Sequence, residues 1–112
     1  MTYYLYKDDI PSEIQFGDIV AIDTETMGLN LNRDRLCLIQ LSNGDGDAHL
    51  VQISPQALAD ENSFVNLKKI FKNPNSTKLF HFARFDIAEL GFLNIFFKFT
   101  KLFSSARAWG EV

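Results

Sequence analysis

A single cysteine, Cys37, leaves the chain without an intrachain disulfide, so covalent staples cannot hold this fold. Cys37 lies in the apolar run Leu36-Cys37-Leu38-Ile39, where it reads as a core residue in a reducing compartment. No apolar run reaches the roughly 18 residues that a membrane helix needs. The N-terminus has no signal-peptide pattern. The expectation is a cytoplasmic protein. Internal repeats, low-complexity stretches and interdomain linkers are also missing, which leaves one domain over residues 1–112.

What is present is ordinary for a globular chain: 46% hydrophobic and 22% charged residues over 112 positions. That length suffices for a real core but lies near the small end of the usual range. Eleven phenylalanines are many for this length, and most lie in the second half. The net charge of −3 is unevenly spread: residues 1–61 carry −8 and residues 62–112 carry +5. The basic half would suit a phosphate-facing surface. Lys68, Lys69 and Lys72 fit the solvated face of a helix equally well.

Periodicity gives a sketch of the elements. Thr2–Tyr6 reads as a short aromatic strand and residues 8–12 as a turn. Asp18–Glu25, with its run Ile19-Val20-Ala21-Ile22, reads as a buried central strand. Met27–Asp34 reads as a loop and Leu36–Leu41 as a second strand. Asn43-Gly44-Asp45-Gly46-Asp47 is a hairpin turn, and Ala48–Ile53 is the returning strand. Asp60 or Asn62 is the expected cap of a helix that runs to about Lys72 and buries Phe64, Leu67 and Phe71. Asn73-Pro74-Asn75 ends it. Lys78–His81 reads as a strand, and Ala83–Leu90 as a helix with Gly91 at its C-terminal cap. A hairpin series followed by β–α alternation predicts an α/β fold, a mixed sheet flanked by helices.

The chemistry concentrates at the end of the central strand. Side chains alternate along a strand, so Asp23 and Glu25 point to the same face. Neighbouring carboxylates repel each other and resist desolvation. A hard divalent cation such as magnesium or manganese removes both penalties. The same pair also fits a solvated acidic loop edge. Asp86 is a third acid, in the first turn of the expected 83–90 helix, where the helix dipole alone would favour it.

Taken together, Asp23-Thr24-Glu25 and the later His81-Phe82-Ala83-Arg84-Phe85-Asp86 resemble the first two motifs of the DEDD superfamily of 3′–5′ exonucleases. Residues 21–29, 33–42 and 78–90 are similar to ribonuclease D within that group. The resemblance covers roughly residues 3–91 and implies a ribonuclease H-like fold. It also implies two-metal hydrolysis of the 3′-terminal phosphodiester, with release of a nucleoside 5′-monophosphate. By this analogy Asp23 bridges both ions, Glu25 holds the ion that generates the nucleophile, and Asp86 serves the second ion. Thr26, Met27 and Leu29 match the loop that packs against the terminal nucleotides, where apolar side chains stack without reading sequence. Plain loop packing explains them as well. His81 and Phe85 are further candidate substrate contacts, with His81 orienting a neighbour. Phe82 stands where many relatives carry Asn. The implied partner is the single-stranded 3′ end of a nucleic acid, RNA favoured over DNA and tRNA precursors the favoured class.

The family's third motif, a Tyr or His followed three residues later by Asp, has no counterpart after Asp86. The chain contains no aspartate after Asp86, no tyrosine after Tyr6 and no histidine after His81. The expectation is therefore a partial exonuclease domain, incomplete at its C-terminus, with weak or no activity alone. Loss of a general base costs on the order of 10²–10⁴ in rate. Uncovered apolar surface would favour self-association. The competing expectation is a catalytically inactive nucleic-acid-binding or interaction module.

Overall fold

The structure, a computed structural model, describes residues 2–26, 36–80 and 102–104. Strands β1 (Thr2–Lys7), β2 (Ile19–Thr26), β3 (Leu36–Ser42) and β4 (Asp47–Gln52) come first. Helices α1 (Pro55–Leu58) and α2 (Val65–Lys72) follow, then β5 (Thr77–Phe80) and β6 (Leu102–Ser104). The six strands form one mixed sheet in the order β1-β4-β3-β2-β5-β6. Strands β2, β3 and β4 make the expected antiparallel meander. Strand β1 adds in parallel to β4, β5 in parallel to β2, and β6 in parallel to β5. The α/β class read from the sequence is the observed one.

Alternation along the strands divides the sheet into two faces. On one face, Val20 and Ile22 of β2, Ile39 and Leu41 of β3, Val51 of β4 and Phe80 of β5 are buried. They join Ile10, Phe16, Phe64, Leu67 and Phe71 in one core cluster. The β1–β2 and β4–β5 connections cross the sheet in the same direction. Right-handed crossovers place both on the same side, and their shared core residues agree with that. The other face carries Tyr3, Leu5, Leu50, Leu38, Gln40, Ala21 and Asp23, as the cross-strand register shows. Tyr3 and Leu5 are both 62% exposed there.

The helix starts differ from the sequence reading. Neither Asp60 nor Asn62 caps α2; Asp60 instead accepts the Asn62 N–H at 2.9 Å in a local turn. The cap comes from Asp9, whose carboxylate accepts the N–H groups of Asn66 (3.0 Å) and Leu67 (2.9 Å). Its neighbour Asp8 accepts the Ser54 N–H (2.7 Å) and hydroxyl (2.8 Å), and Ser54 Oγ accepts from Ala57 N at the start of α1. The two acids that follow β1 therefore anchor both helices. Phe64, which precedes α2, takes a left-handed backbone with φ of 63°. That conformation costs a non-glycine residue about 1–2 kcal/mol, and burial of the ring offsets it.

At the other end of α2, the buried Lys78 sends its ammonium to the carbonyls of Asn73 and Ser76, the latter at 3.0 Å. A cation there meets the carbonyl-rich end of the helix favourably. Lys68 donates to the Glu61 carbonyl at 3.0 Å, while Lys69 and Lys72 are exposed. These three lysines belong to the helix layer, on the opposite side of the sheet from Asp23. They are a solvated helix face and not part of the acidic end.

Candidate active site

Strand β2 lies between β3 and β5, so its first half is apolar and its last half reaches the sheet end. Thr24 turns inward and is buried, while Asp23 and Glu25 turn to the opposite face and are exposed. The sequence-read pair therefore does share a face. Asp23 Oδ1 accepts the Thr24 N–H at 2.9 Å, which restrains the carboxylate against its own strand. Asp23 lies opposite Gln40, and Glu25 opposite Leu38.

The register slips between Glu25 and Thr26, whose partner is Leu36 rather than Cys37. A bulge of this kind bends a strand and re-aims its end. Cys37 occupies the skipped position and donates its thiol to the Glu25 carbonyl at 3.3 Å. It is only partly buried, so the reading of Cys37 as a core residue is corrected. An apolar run does not by itself say which residues face the core, and the bulge leaves Cys37 at the skipped position.

A cavity of about 250 Å³ lies beside Asp23, lined by Ala21, Ile22, Gln40, Ser42, Leu79 and Phe80 as well. A larger one, about 460 Å³, sits at the start of β2, around Gly17, Asp18, Asn66 and Ser76. The larger space is at the wrong end of the strand to serve Asp23 and Glu25, so the smaller one is the candidate site. Parallel pairing sets Phe80 of β5 opposite Ile22, one residue before Asp23. The chain thus enters residues 81–101 from the acidic end of the sheet.

Asp86, His81, Phe85, Met27 and Leu29 lie outside the described residues, as does the expected 83–90 helix. Thr26 ends β2, and its side chain is also outside the description. Among the described residues no cluster of three or more metal-ligating side chains occurs. The donor set that is described suits a hard divalent ion in part: two carboxylates, on one face, open to solvent. His49, on the core face of β4, is packed between Tyr4 (5.1 Å) and Tyr6 (5.9 Å), with Phe16 edge-on at 5.3 Å. Its Nδ1 bonds the Tyr6 hydroxyl at 3.0 Å. The Tyr-x-Tyr spacing of β1 is the sequence signal for this stack.

A family model described as 3′-5′ exonuclease matches residues 7–102. The chain belongs to that family. In solved structures it is similar to NrnC of Brucella melitensis, at 41% identity and a TM-score of 0.80. The match covers 98% of this chain and 52% of NrnC, so the chain spans about half the length of that relative. NrnC has also been solved with bound Mg2+ and bound to pGG. The EXO domain of Aedes aegypti Nibbler shares the fold at 17% identity and a TM-score of 0.63, over 95% of this chain and 55% of its own. No curated protein sequence gives a match. The sheet is that of the ribonuclease H-like exonucleases, and the likeness to this superfamily read from the motifs holds.

Proposed function

We propose that residues 1–112 form a partial 3′–5′ exonuclease domain whose site is built on the acidic end of β2. The observation that carries this reading is the placement of Asp23 and Glu25 on one open face, in a chain of the exonuclease family. Asp23, Glu25 and Asp86 would hold magnesium or manganese, two ions in a complete site. Bound there, such ions stabilise charge on the phosphate and make water a competent nucleophile. Water attacks the terminal phosphorus, the P–O3′ bond breaks, and the products are a nucleoside 5′-monophosphate and a shortened strand with a free 3′-hydroxyl.

The chain's own contribution is orientation. The Thr24 N–H restrains Asp23, and the bulge at Glu25 directs the second carboxylate. Thr26, Met27, Leu29, His81 and Phe85 would contact the terminal nucleotides. The substrate class is the single-stranded 3′ end of RNA, with tRNA precursors as the larger substrates. The NrnC structure with pGG supports a short nucleic-acid strand as ligand.

The test is a nuclease assay of the 112-residue chain with manganese on 5′-labelled single-stranded RNA, with Asp23→Ala as control. A ladder that shortens from the 3′ end and vanishes in the variant supports the reading. A second reading is an inactive nucleic-acid-binding module, which the +5 balance of residues 62–112 would suit. RNA binding indifferent to metal and to Asp23→Ala would select that module.

A further inference from the structure

The larger cavity, about 460 Å³, takes no part in the acidic site and lies at the opposite end of β2. From Asp18 to Asp23 the extended chain runs about 17 Å. A cavity of this size suits a small organic molecule rather than a lone ion. Its walls are already held by backbone bonds: Ile14 N donates to Pro11 O (3.2 Å), Ser76 N to Asn73 O (3.4 Å) and Thr77 N to Asp18 O (2.7 Å).

One wall carries a polar group that the fold leaves unsatisfied. Ser76 is 4% exposed, and its hydroxyl has no hydrogen-bond partner among the described residues. Buried hydroxyls are nearly always bonded, so an orphan beside a cavity points to a ligand that completes it. A serine hydroxyl re-aims by a turn about one bond. Lys69 brings to the same cavity an ammonium that no described residue engages, and Asp18 a carboxylate in the same state. Asn66 uses its amide N–H on the Ile10 carbonyl and keeps its oxygen as an acceptor. Asn73 uses its oxygen on the Asn75 N–H and keeps its amide N–H as a donor. Lys78 already covers the carbonyls of Asn73 and Ser76, which lowers the repulsion an anion would meet at this end of α2.

These groups limit the ligand. One free cation calls for one anionic group, and the Asp18 carboxylate disfavours a polyanion such as a nucleic-acid strand. The amides suit a ring that carries both donors and acceptors, and Ile14, Phe16 and Ile70 supply apolar lining for it. We propose that this cavity binds a single nucleoside 5′-monophosphate, with its phosphate on Lys69, its base on the amides of Asn66 and Asn73, and the Ser76 hydroxyl turned to meet it. The choice of ligand rests on the reading of the chain as an enzyme that releases such nucleotides. The site itself uses neither Asp23 nor Glu25.

The experiment titrates the 112-residue chain with adenosine 5′-monophosphate in the presence of EDTA, by calorimetry and ¹⁵N spectra. Lys69→Met, Ser76→Ala, Lys72→Met and Asp23→Ala are compared with wild type. The expected result is saturable binding, weakened roughly 10-fold or more in Lys69→Met and several-fold in Ser76→Ala. Lys72→Met, whose lysine lies outside the cavity, and Asp23→Ala should bind as wild type does. Ser76→Ala should melt no lower than wild type, since it removes a buried group that has no partner, so its weaker binding is not unfolding. The amide shifts on binding should centre on Gly17, Asp18 and Ser76. Adenosine and inorganic phosphate should each bind at least 10-fold more weakly than the nucleotide, roughly the share of one charge-assisted contact. Phosphate bound as tightly as the nucleotide overturns the assignment of the ligand. Loss of binding in Asp23→Ala with wild-type affinity in Lys69→Met places the nucleotide at the acidic end, which overturns this proposal and supports that site. Absence of saturable binding by the wild type overturns the proposal and leaves the nuclease reading standing.

Discussion

Replacing Asp9 by alanine removes the carboxylate that starts α2. Two backbone N–H groups, of Asn66 and Leu67, lose their acceptor, and the Ile10 N–H loses its own at 2.9 Å. A cap exchanged for alanine typically costs about 0.5–2 kcal/mol. Here one charged side chain serves two helix donors, and hydrogen bonds to charged groups contribute about 1.5–3 kcal/mol each. The expected destabilisation is therefore about 2–4 kcal/mol. Asp9→Asn keeps one acceptor oxygen and should lose about half of that. Urea unfolding followed by circular dichroism reads the effect. With a slope of about 1–3 kcal/mol per molar urea, the Asp9→Ala midpoint should fall by roughly 1–2 M at unchanged slope. Asp60→Ala is the contrast, because that exposed side chain supports only a local turn. It should stay within about 0.5 kcal/mol of wild type. Equal losses in the two variants, or none in Asp9→Ala, would refute the assignment of the cap.

Three further outcomes follow from the same contacts. Lys78→Met should lower stability by about 1–3 kcal/mol in urea unfolding, because the carbonyls of Asn73 and Ser76 lose a buried donor. Phe71→Ala empties the centre of the core between helix and sheet and should cost about 3–5 kcal/mol, read as a fall in thermal midpoint. The Tyr6 hydroxyl has its pKa raised above 10.0 by burial, then by the neighbouring Tyr4 and Glu13 charges. The folded state thus keeps a proton that the unfolded chain gives up. This contribution is intact below pH 10 and is lost as pH rises from there through the folded value. Stability measured from pH 8 upward should fall more steeply above pH 10 in wild type than in Tyr6→Phe.

Strands β1 to β5 were legible from apolar or aromatic runs bounded by turn residues, whereas β6 was not read as a strand. The turn 43–47 was legible too, with Gly44 and Gly46 at φ of 87° and 93° where side chains are disfavoured. Asp23 and Glu25 could be placed on one face from spacing alone. Long-range partnerships could not be read. Asp8 and Asp9 showed as turn residues, yet they bind residues 46 to 58 positions away, which no local rule detects. The cap of α2 was therefore sought beside it, at Asp60 or Asn62. Helix α1 is one turn long, too short for periodicity, although Ser54-Pro55 is a recognisable cap and first-turn signal. The position of β1 beside β4 depends on tertiary pairing, so its aromatic pattern marked a strand without naming its partner. Cys37 was misplaced because an apolar run does not reveal the bulge that leaves it only partly buried. Resemblance, rather than spacing, linked Asp86 to the β2 pair.

The central claim is that the Asp23–Glu25 end of β2 belongs to a 3′-end hydrolase. It is tested most directly by identifying the product released from a 3′-labelled RNA in the presence of Mg2+. The account predicts the labelled nucleoside 5′-monophosphate as the first product, and none from Asp23→Asn. Labelled oligonucleotides from internal cuts, a nucleoside 3′-phosphate, or undiminished release by Asp23→Asn would contradict it.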